Sequence, residues 1–258
     1  HNLDRPFNEM MLGLESWIPI YMTGQISPFY LKAANTNIYN HKTYVSGTVA
    51  LSGECITGYL SDGKHYLTTN KSEVAYYKSK AEHLLKKSNS LMDIYRSESQ
   101  NEFNAFLIAN SKMSGKRRRY LSSLPIHTIS KELLIKILKR NNIPDTDIET
   151  IYSKIEKKKK IIIDIVKKDI LEDDYFEFSK NDFKDNSISL SFSTIFFDKK
   201  IYYTYDEYKE HLKLTHEYAK NTPNYKLTKS PNRTFKNIQV TFHENKYIMV
   251  SKDNSPSI

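Results

Sequence analysis

Five consecutive residues, Lys116-Arg117-Arg118-Arg119-Tyr120, carry the densest chemistry in the chain. Guanidinium groups bind phosphate or carboxylate through two parallel N–H donors, and a tyrosine ring can stack on a base. Such a run suits an anionic effector, a nucleic-acid backbone or an acidic patch on a partner subunit. With Arg96 it forms the candidate ligand-binding set: Arg96, Lys116, Arg117, Arg118, Arg119 and Tyr120. The competing reading is a solvated loop neutralised from within, the acidic run Glu172-Asp173-Asp174 supplying the counter-charges.

The other reactive residue types are scattered. Of the eight histidines, His211 and His216 are five apart, which separates them by about 140° around a helix, and no HExxH pattern occurs. Hydrogen bonding or capping at the surface accounts for them better than metal binding. Cys55, the single cysteine, excludes an intrachain disulfide and fits a reducing compartment. Its default role is a small core side chain. Neither GxxxxGK[ST] nor GxGxxG is present, so nucleotide phosphoryl transfer and dinucleotide redox chemistry have no support. Asp173 and Asp174 read as solvated carboxylates in a charged turn. No catalytic residue, metal or cofactor is expected.

The elements that would position these residues divide the chain into a mainly helical basic region (1–143), a long connecting helix (144–174) and an α+β region with two hairpins (175–258). The fold class is α+β: a helical N-terminal part, then antiparallel hairpins with a packed helix. Residues 6–39 read as helical with a break at Trp17–Pro19. Val45–Leu51 suits a strand or a helix. Asn70 with Glu73 opens a helix to Lys87 with Val74, Tyr77, Ala81, Leu84 and Leu85 inward. A further helix runs from about Ser99 to Asn110. Ser130 caps the next, and Thr146 with Glu149 opens one reaching Ile170, with a bend or exposed turn at Lys157–Lys160.

From Ser189 to Lys252 the pattern reads hairpin, capped helix, hairpin. Leu190, Phe192, Thr194 and Phe196 alternate toward a turn at Asp198-Lys199, and Ile201–Thr204 return. Thr204 with Glu207 caps the helix. Ile238, Val240 and Phe242 alternate toward Glu244-Asn245, and Tyr247–Val250 return.

The 258 residues carry a net charge of +9, and residues 1–143 hold 19 Lys/Arg against 11 Asp/Glu. A basic surface attracts nucleic acid or acidic partners, although lysine-rich composition also serves solubility. No run of about 18 apolar residues marks a membrane span. A helix-turn-helix reading of Ser130–Lys168 suffers from an overlong second helix and a joint, Asn141 to Asp145, without glycine.

The segment Arg118-Arg119-Tyr120-Leu121-Ser122-Ser123-Leu124-Pro125-Ile126-His127-Thr128-Ile129-Ser130 resembles one in a group of Gram-positive bacterial transcriptional regulators. Similar too are Lys200-Ile201-Tyr202-Tyr203-Thr204 through Glu210-His211-Leu212, Pro223-Asn224-Tyr225, Phe235-Lys236-Asn237-Ile238-Gln239, Val250-Ser251-Lys252 and Pro256. Those proteins pair an N-terminal lambda-repressor-like helix-turn-helix with a long regulatory region. The resemblance implies a cytoplasmic regulatory region, homodimeric, responding to a small-molecule or peptide effector, and reaching DNA through a domain that would lie before His1. The alternatives are an enzyme acting on a phosphorylated or nucleotide-like substrate and a direct nucleic-acid-binding protein.

Overall fold

The computed structural model describes residues 7–21, 23, 25–31, 39–185, 188–191, 201–232 and 238–252. Helices and antiparallel strands together make an α+β fold. The chain divides into two compact units, residues 1–94 and 95–258.

In the first unit α1 spans Phe7–Tyr21. It runs through Pro19 rather than breaking there. Pro19 lies in the last turn, so the hydrogen bond it removes falls where the helix is about to end anyway. Two short strands, β1 (Phe29–Tyr30) and β5 (Asn89–Ser90), pair antiparallel. Between them β2 (Tyr39–Ser46), β3 (Val49–Ile56) and β4 (Lys64–Thr68) form an antiparallel meander in the order β2-β3-β4. Val45–Leu51 is neither a single strand nor a helix but the β2–β3 turn with the strand ends on either side, Gly47 being left-handed in it, and the sheet places strands where the sequence suggested mainly helices. Register puts Val45, Ala50 and Thr68 on one face and Tyr44, Leu51 and Leu67 on the other.

Helix α2 (Lys71–Lys87) follows, and Asn70 caps it by accepting from the Ser72 and Glu73 N–H groups. Ala50, Thr68 and Val74 are buried, and the Thr68 hydroxyl donates to Glu73, as does Tyr66. Leu84 and Leu85, expected inward, are exposed.

The second unit is a mixed five-stranded sheet in the order β10-β9-β6-β7-β8. Helix α3 (Gln100–Lys112) precedes β6 (Arg117–Tyr120), and a 3₁₀ turn at Ile126–Thr128 leads to α4 (Lys131–Arg140) and α5 (Asp145–Val166). Next come β7 (Leu171–Tyr175), the short α6 (Asp182–Asp185), α7 (Tyr205–Asn221), β8 (Tyr225–Lys229), β9 (Ile238–His243) and β10 (Tyr247–Lys252). Strands β6, β7 and β8 are mutually parallel, joined through helices as parallel strands must be. β9 lies antiparallel to β6 and forms a hairpin with β10, as the alternation predicted, with Asn245 left-handed in its turn.

Residues 144–174 are therefore no connector: α5 packs against α4 and the 3₁₀ turn, and β7 sits inside the sheet. The Lys157–Lys160 stretch stays helical. Pro144, not Thr146, occupies the N-cap of α5, and no side chain caps it there. The Pro144 φ of −58° and ψ of 144° give the extended backbone of an N-cap, with Asp145 as the first helical residue. The hairpin turn expected at Asp198-Lys199, with Phe192 through Lys200, lies outside the described residues. Its bases do pair: Leu190 N–H donates to Ile201 O and Tyr203 N–H to Ile188 O.

The main core joins Leu133, Leu134, Ile137 and Leu138 of α4, Ile148, Ile151 and Ile155 of α5, and Tyr208 and Leu212 of α7 with Ile188, Leu190 and Ile201. A second cluster seats Leu171 and Tyr225 against Ile165 and Val166. Among the described residues no helix is long and apolar enough to cross a membrane.

Candidate functional site

Three consecutive arginines carry no apolar side chain to pack, yet Arg117–Tyr120 is an inner strand. Its partner explains why. In parallel register Arg117 faces Leu171, Arg118 faces Glu172, Arg119 faces Asp173 and Tyr120 faces Asp174. The basic run of one strand lies against the acidic run of the next.

Side chains alternate between the two sheet faces. On the helix-covered face Arg119 binds Asp173 in a two-pronged arrangement, Nε to Oδ1 and Nη2 to Oδ2, both at 2.6 Å. Tyr225 OH donates to the same Asp173 Oδ2 at 2.7 Å. Asp173 is fully buried, and Arg119 side-chain exposure is 13%. Burial pulls the Arg119 pKa down, but the charge and hydrogen bonds of Asp173 outweigh it and the net shift is upward.

On the opposite face Arg118 forks onto Asp174, Nε to Oδ2 at 2.7 Å and Nη2 to Oδ1 at 3.0 Å. The hydrogen bonds that Arg118 donates to Asp174, with the carboxylate's charge, raise the Arg118 pKa above its ordinary value. Its guanidinium lies 5.1 Å from the Tyr120 ring centre, and Tyr120 packs edge-on against Phe242. Lys116 reaches Glu172 at 3.0 Å, and Lys226 of β8 reaches the same carboxylate at 3.7 Å.

Arg117 has a different task. Nη2 donates to the Asn110 and Met113 carbonyls, each at 2.7 Å, and Nη1 to the Gly115 carbonyl at 2.9 Å. The guanidinium is thus a cap on the C-terminal end of α3, satisfying acceptors that a helix leaves open and favoured by the negative end of its dipole. Arg117 is buried and both its Nη groups are committed, so it offers no fork to an anion arriving from solvent. Arg96 stands at the turn into α3, where its main chain closes a ring with Ser99. The structure brings Lys116–Tyr120 together with Glu172–Asp174, and Arg96 belongs to a separate turn.

The carboxylates read from sequence as solvated are the opposite: Asp173 and Asp174 are buried. His211 is another correction. It lies buried on α7, between Tyr203 OH, 2.7 Å from Nδ1, and Thr128 Oγ1, 3.0 Å from Nε2. Thr128 donates to the Pro125 carbonyl, and Thr215, within reach of both the His211 carbonyl and Thr128 Oγ1 (2.7 Å), supplies the proton between the two hydroxyls. A consistent proton assignment has Nε2–H donating to Thr128 while Nδ1 accepts from Tyr203. Burial pushes the His211 pKa down to about 3, so the ring is neutral at physiological pH.

His127, edge-on to the Tyr218 and Tyr225 rings, is likewise held neutral by burial and by the nearby Arg119 charge. The signal for His211 lay in spacing: Tyr208, His211, Leu212 and Thr215 form one helical stripe, and all four are buried.

Glu207 completes the capping box with Thr204 and receives Arg140 at 2.8 and 2.7 Å. Burial alone would raise its carboxyl pKa, but the Arg140 and Thr204 hydrogen bonds hold it below the ordinary value. Asn141 Oδ1 accepts from the Tyr202 N–H and Nδ2 donates to the Tyr202 carbonyl, both at 3.1 Å, pinning the strand-like base of 201–203 to the end of α4.

These groups clamp elements together. Among the described residues no three His, Cys, Asp or Glu side chains are placed to hold a metal ion. Cys55 is half-buried on β3. Compared with known proteins, the chain matches no family model, no curated protein and no solved structure.

Proposed function

We propose that this chain is the regulatory body of a bacterial transcriptional regulator, a cytoplasmic effector-sensing and dimerising region whose DNA reading is done by a helix-turn-helix module outside residues 1–258. The reading rests on the resemblance read from the sequence; the neutralisation of the basic strand, which also withdraws Arg117, Arg118 and Arg119 as open effector contacts, weighs against its alternatives. Arg118 and Arg119 fork onto Asp174 and Asp173 of their own sheet neighbour, and Arg117 is spent on the end of α3. A phosphate or a nucleic-acid backbone would have to displace these bonds, which weighs against both the phosphorylated-substrate enzyme and direct nucleic-acid binding.

Dimerisation draws support from the first unit. Tyr44, Leu51 and Leu67 stand side by side on the meander face opposite Ala50 and Thr68, and Tyr44 and Leu67 are 62% and 65% exposed. Contiguous exposed apolar groups mark interaction surfaces. An effector would act by preferring one of two arrangements of such a dimer, which would reset the spacing of the DNA-reading heads.

Sedimentation of residues 1–258, alone and with generic duplex DNA across a salt series, tests the proposal. The expected result is a homodimer that gives no steeply salt-dependent DNA complex. A monomer that binds DNA with a steep salt slope, or turnover of a phosphorylated substrate by the purified chain, would overturn it.

A further inference from the structure

Four buried polar atoms in the second unit have no hydrogen-bond partner among the described residues and belong to one neighbourhood: Arg117 Nε, Asp169 Oδ2, His243 Nδ1 and Tyr247 OH. Register brings three of them together. Arg117 of β6 lies directly opposite His243 of β9, and His243 directly opposite Tyr247 of β10. Directly opposed side chains share a sheet face, with Cα atoms about 4.5–5.5 Å apart.

The three side chains therefore form a row across three strands. Asp169, in the turn before β7, brings Oδ2 to 3.7 Å from Arg117 Nη1, too long for a hydrogen bond. Helix α3 closes the far side, with Phe106 edge-on to the Tyr247 ring at 5.2 Å. Gly115 permits the crowding, since a Cβ there would stand 2.9 Å from His243 Nε2 and its φ of +131° disfavours any side chain.

Each unused atom has a definite hydrogen-bonding sense. Both Nη groups of Arg117 are committed to carbonyls, so Nε–H is a spare donor. His243 Nε2 lies 3.1 Å from the Ser114 carbonyl. A carbonyl only accepts, so Nε2 carries the proton. Burial and the adjacent Arg117 charge keep the ring neutral, which leaves Nδ1 as a bare acceptor. Asp169 Oδ1 accepts the Gly115 N–H at 3.1 Å, and Oδ2 is a spare acceptor. Tyr247 O–H is a spare donor that can also accept.

The complement of this set is a molecule that accepts twice and donates twice. An anion would meet the carboxylate and the imidazole lone pair, and a cation would meet the guanidinium. We infer that Arg117, Asp169, His243 and Tyr247 form a binding site for one small neutral molecule with paired donors and acceptors, a water or a primary amide group. Its occupant ties the β9–β10 hairpin to the end of α3 and the start of β6. Buried polar groups of native proteins are satisfied in this way by ordered molecules with two to four polar partners. The inference does not depend on the regulatory reading.

A high-resolution crystal structure of the whole chain, with and without formamide soaked in, is the test. The expected result is density for one molecule within hydrogen-bonding distance of at least three of the four atoms. Formamide replacing water there identifies an amide-accepting ligand site, and water persisting in the soak identifies a hydration site. The Tyr247→Phe variant keeps the ring and removes one spare donor, so a lower melting temperature and faster amide exchange in β9 and β10 are expected. Direct hydrogen bonds among the four side chains with no molecule between them, or a Tyr247→Phe variant as stable as the parent, would overturn the inference.

Discussion

Arginine on a strand does three jobs here, separated by what each side chain touches. Arg119 and Asp173 are a buried fork completed by Tyr225. Removing one partner strands a buried charge, which costs about 3–5 kcal/mol. Arg119→Ala should destabilise by that amount in urea denaturation. Arg119→Lys should recover only part of it, because an ammonium cannot reproduce the fork. Lys116→Ala should cost less than about 1 kcal/mol, since the Lys116–Glu172 pair is half in solvent.

Histidine sets the acid response. His211 and His127 have folded-state pKa values below the ordinary 6.5 because burial opposes their charge. Below about pH 6.5 the unfolded chain therefore binds protons that the folded chain refuses. The stability they confer is fully present above that pH and is lost as pH falls below it, down to about 3 for His211, at about 1.4 kcal/mol per pH unit for each such histidine while it stays neutral in the folded chain. Urea melts across pH 4–7 should show this decline. His211→Phe should flatten it by about one proton while lowering stability at pH 7, because Tyr203 and Thr128 lose their partner.

At the scale of elements, local chemistry was legible where a cap announces a helix. Asn70, Ser130 and Thr204 cap α2, α4 and α7 as their spacing predicts. Thr204→Ala should cost about 1 kcal/mol, seen as faster amide exchange in the first turn of α7. The same pattern at Thr146 and Glu149 misleads because Pro144 claims the N-cap two residues earlier, and spacing alone does not fix which residue enters the helix first.

Strand β7 was illegible for a deeper reason. Leu-Glu-Asp-Asp-Tyr has no apolar period, and three carboxylates in a row read as surface. Its burial depends on Arg118 and Arg119, whose counter-ions lie 56 and 54 residues away. No local window contains both halves of that pairing. The sequence did offer the acidic run as a partner for the basic one, which is what the sheet builds, but as a loop rather than as two parallel strands.

At the scale of the whole second unit, the basic residues between Lys116 and Arg140 meet carboxylates between Asp145 and Glu210 by folding, while the chain as a whole keeps its net charge of +9. That arrangement is consistent with a body that works through shape and interfaces. If the meander face of the first unit pairs two copies, Tyr44→Ser with Leu67→Asp should convert a dimer to a monomer in sedimentation without loss of helical circular dichroism. An unchanged dimer would move the interface elsewhere.

Arg119 is committed to Asp173, and a double-mutant cycle with Arg119→Ala, Asp173→Ala and the double variant measures that commitment. The expected coupling free energy is about 2–3 kcal/mol, the double variant being far less damaged than the sum of the singles. Effects that add to within about 0.5 kcal/mol would show that the two charges ignore each other, and would contradict that commitment.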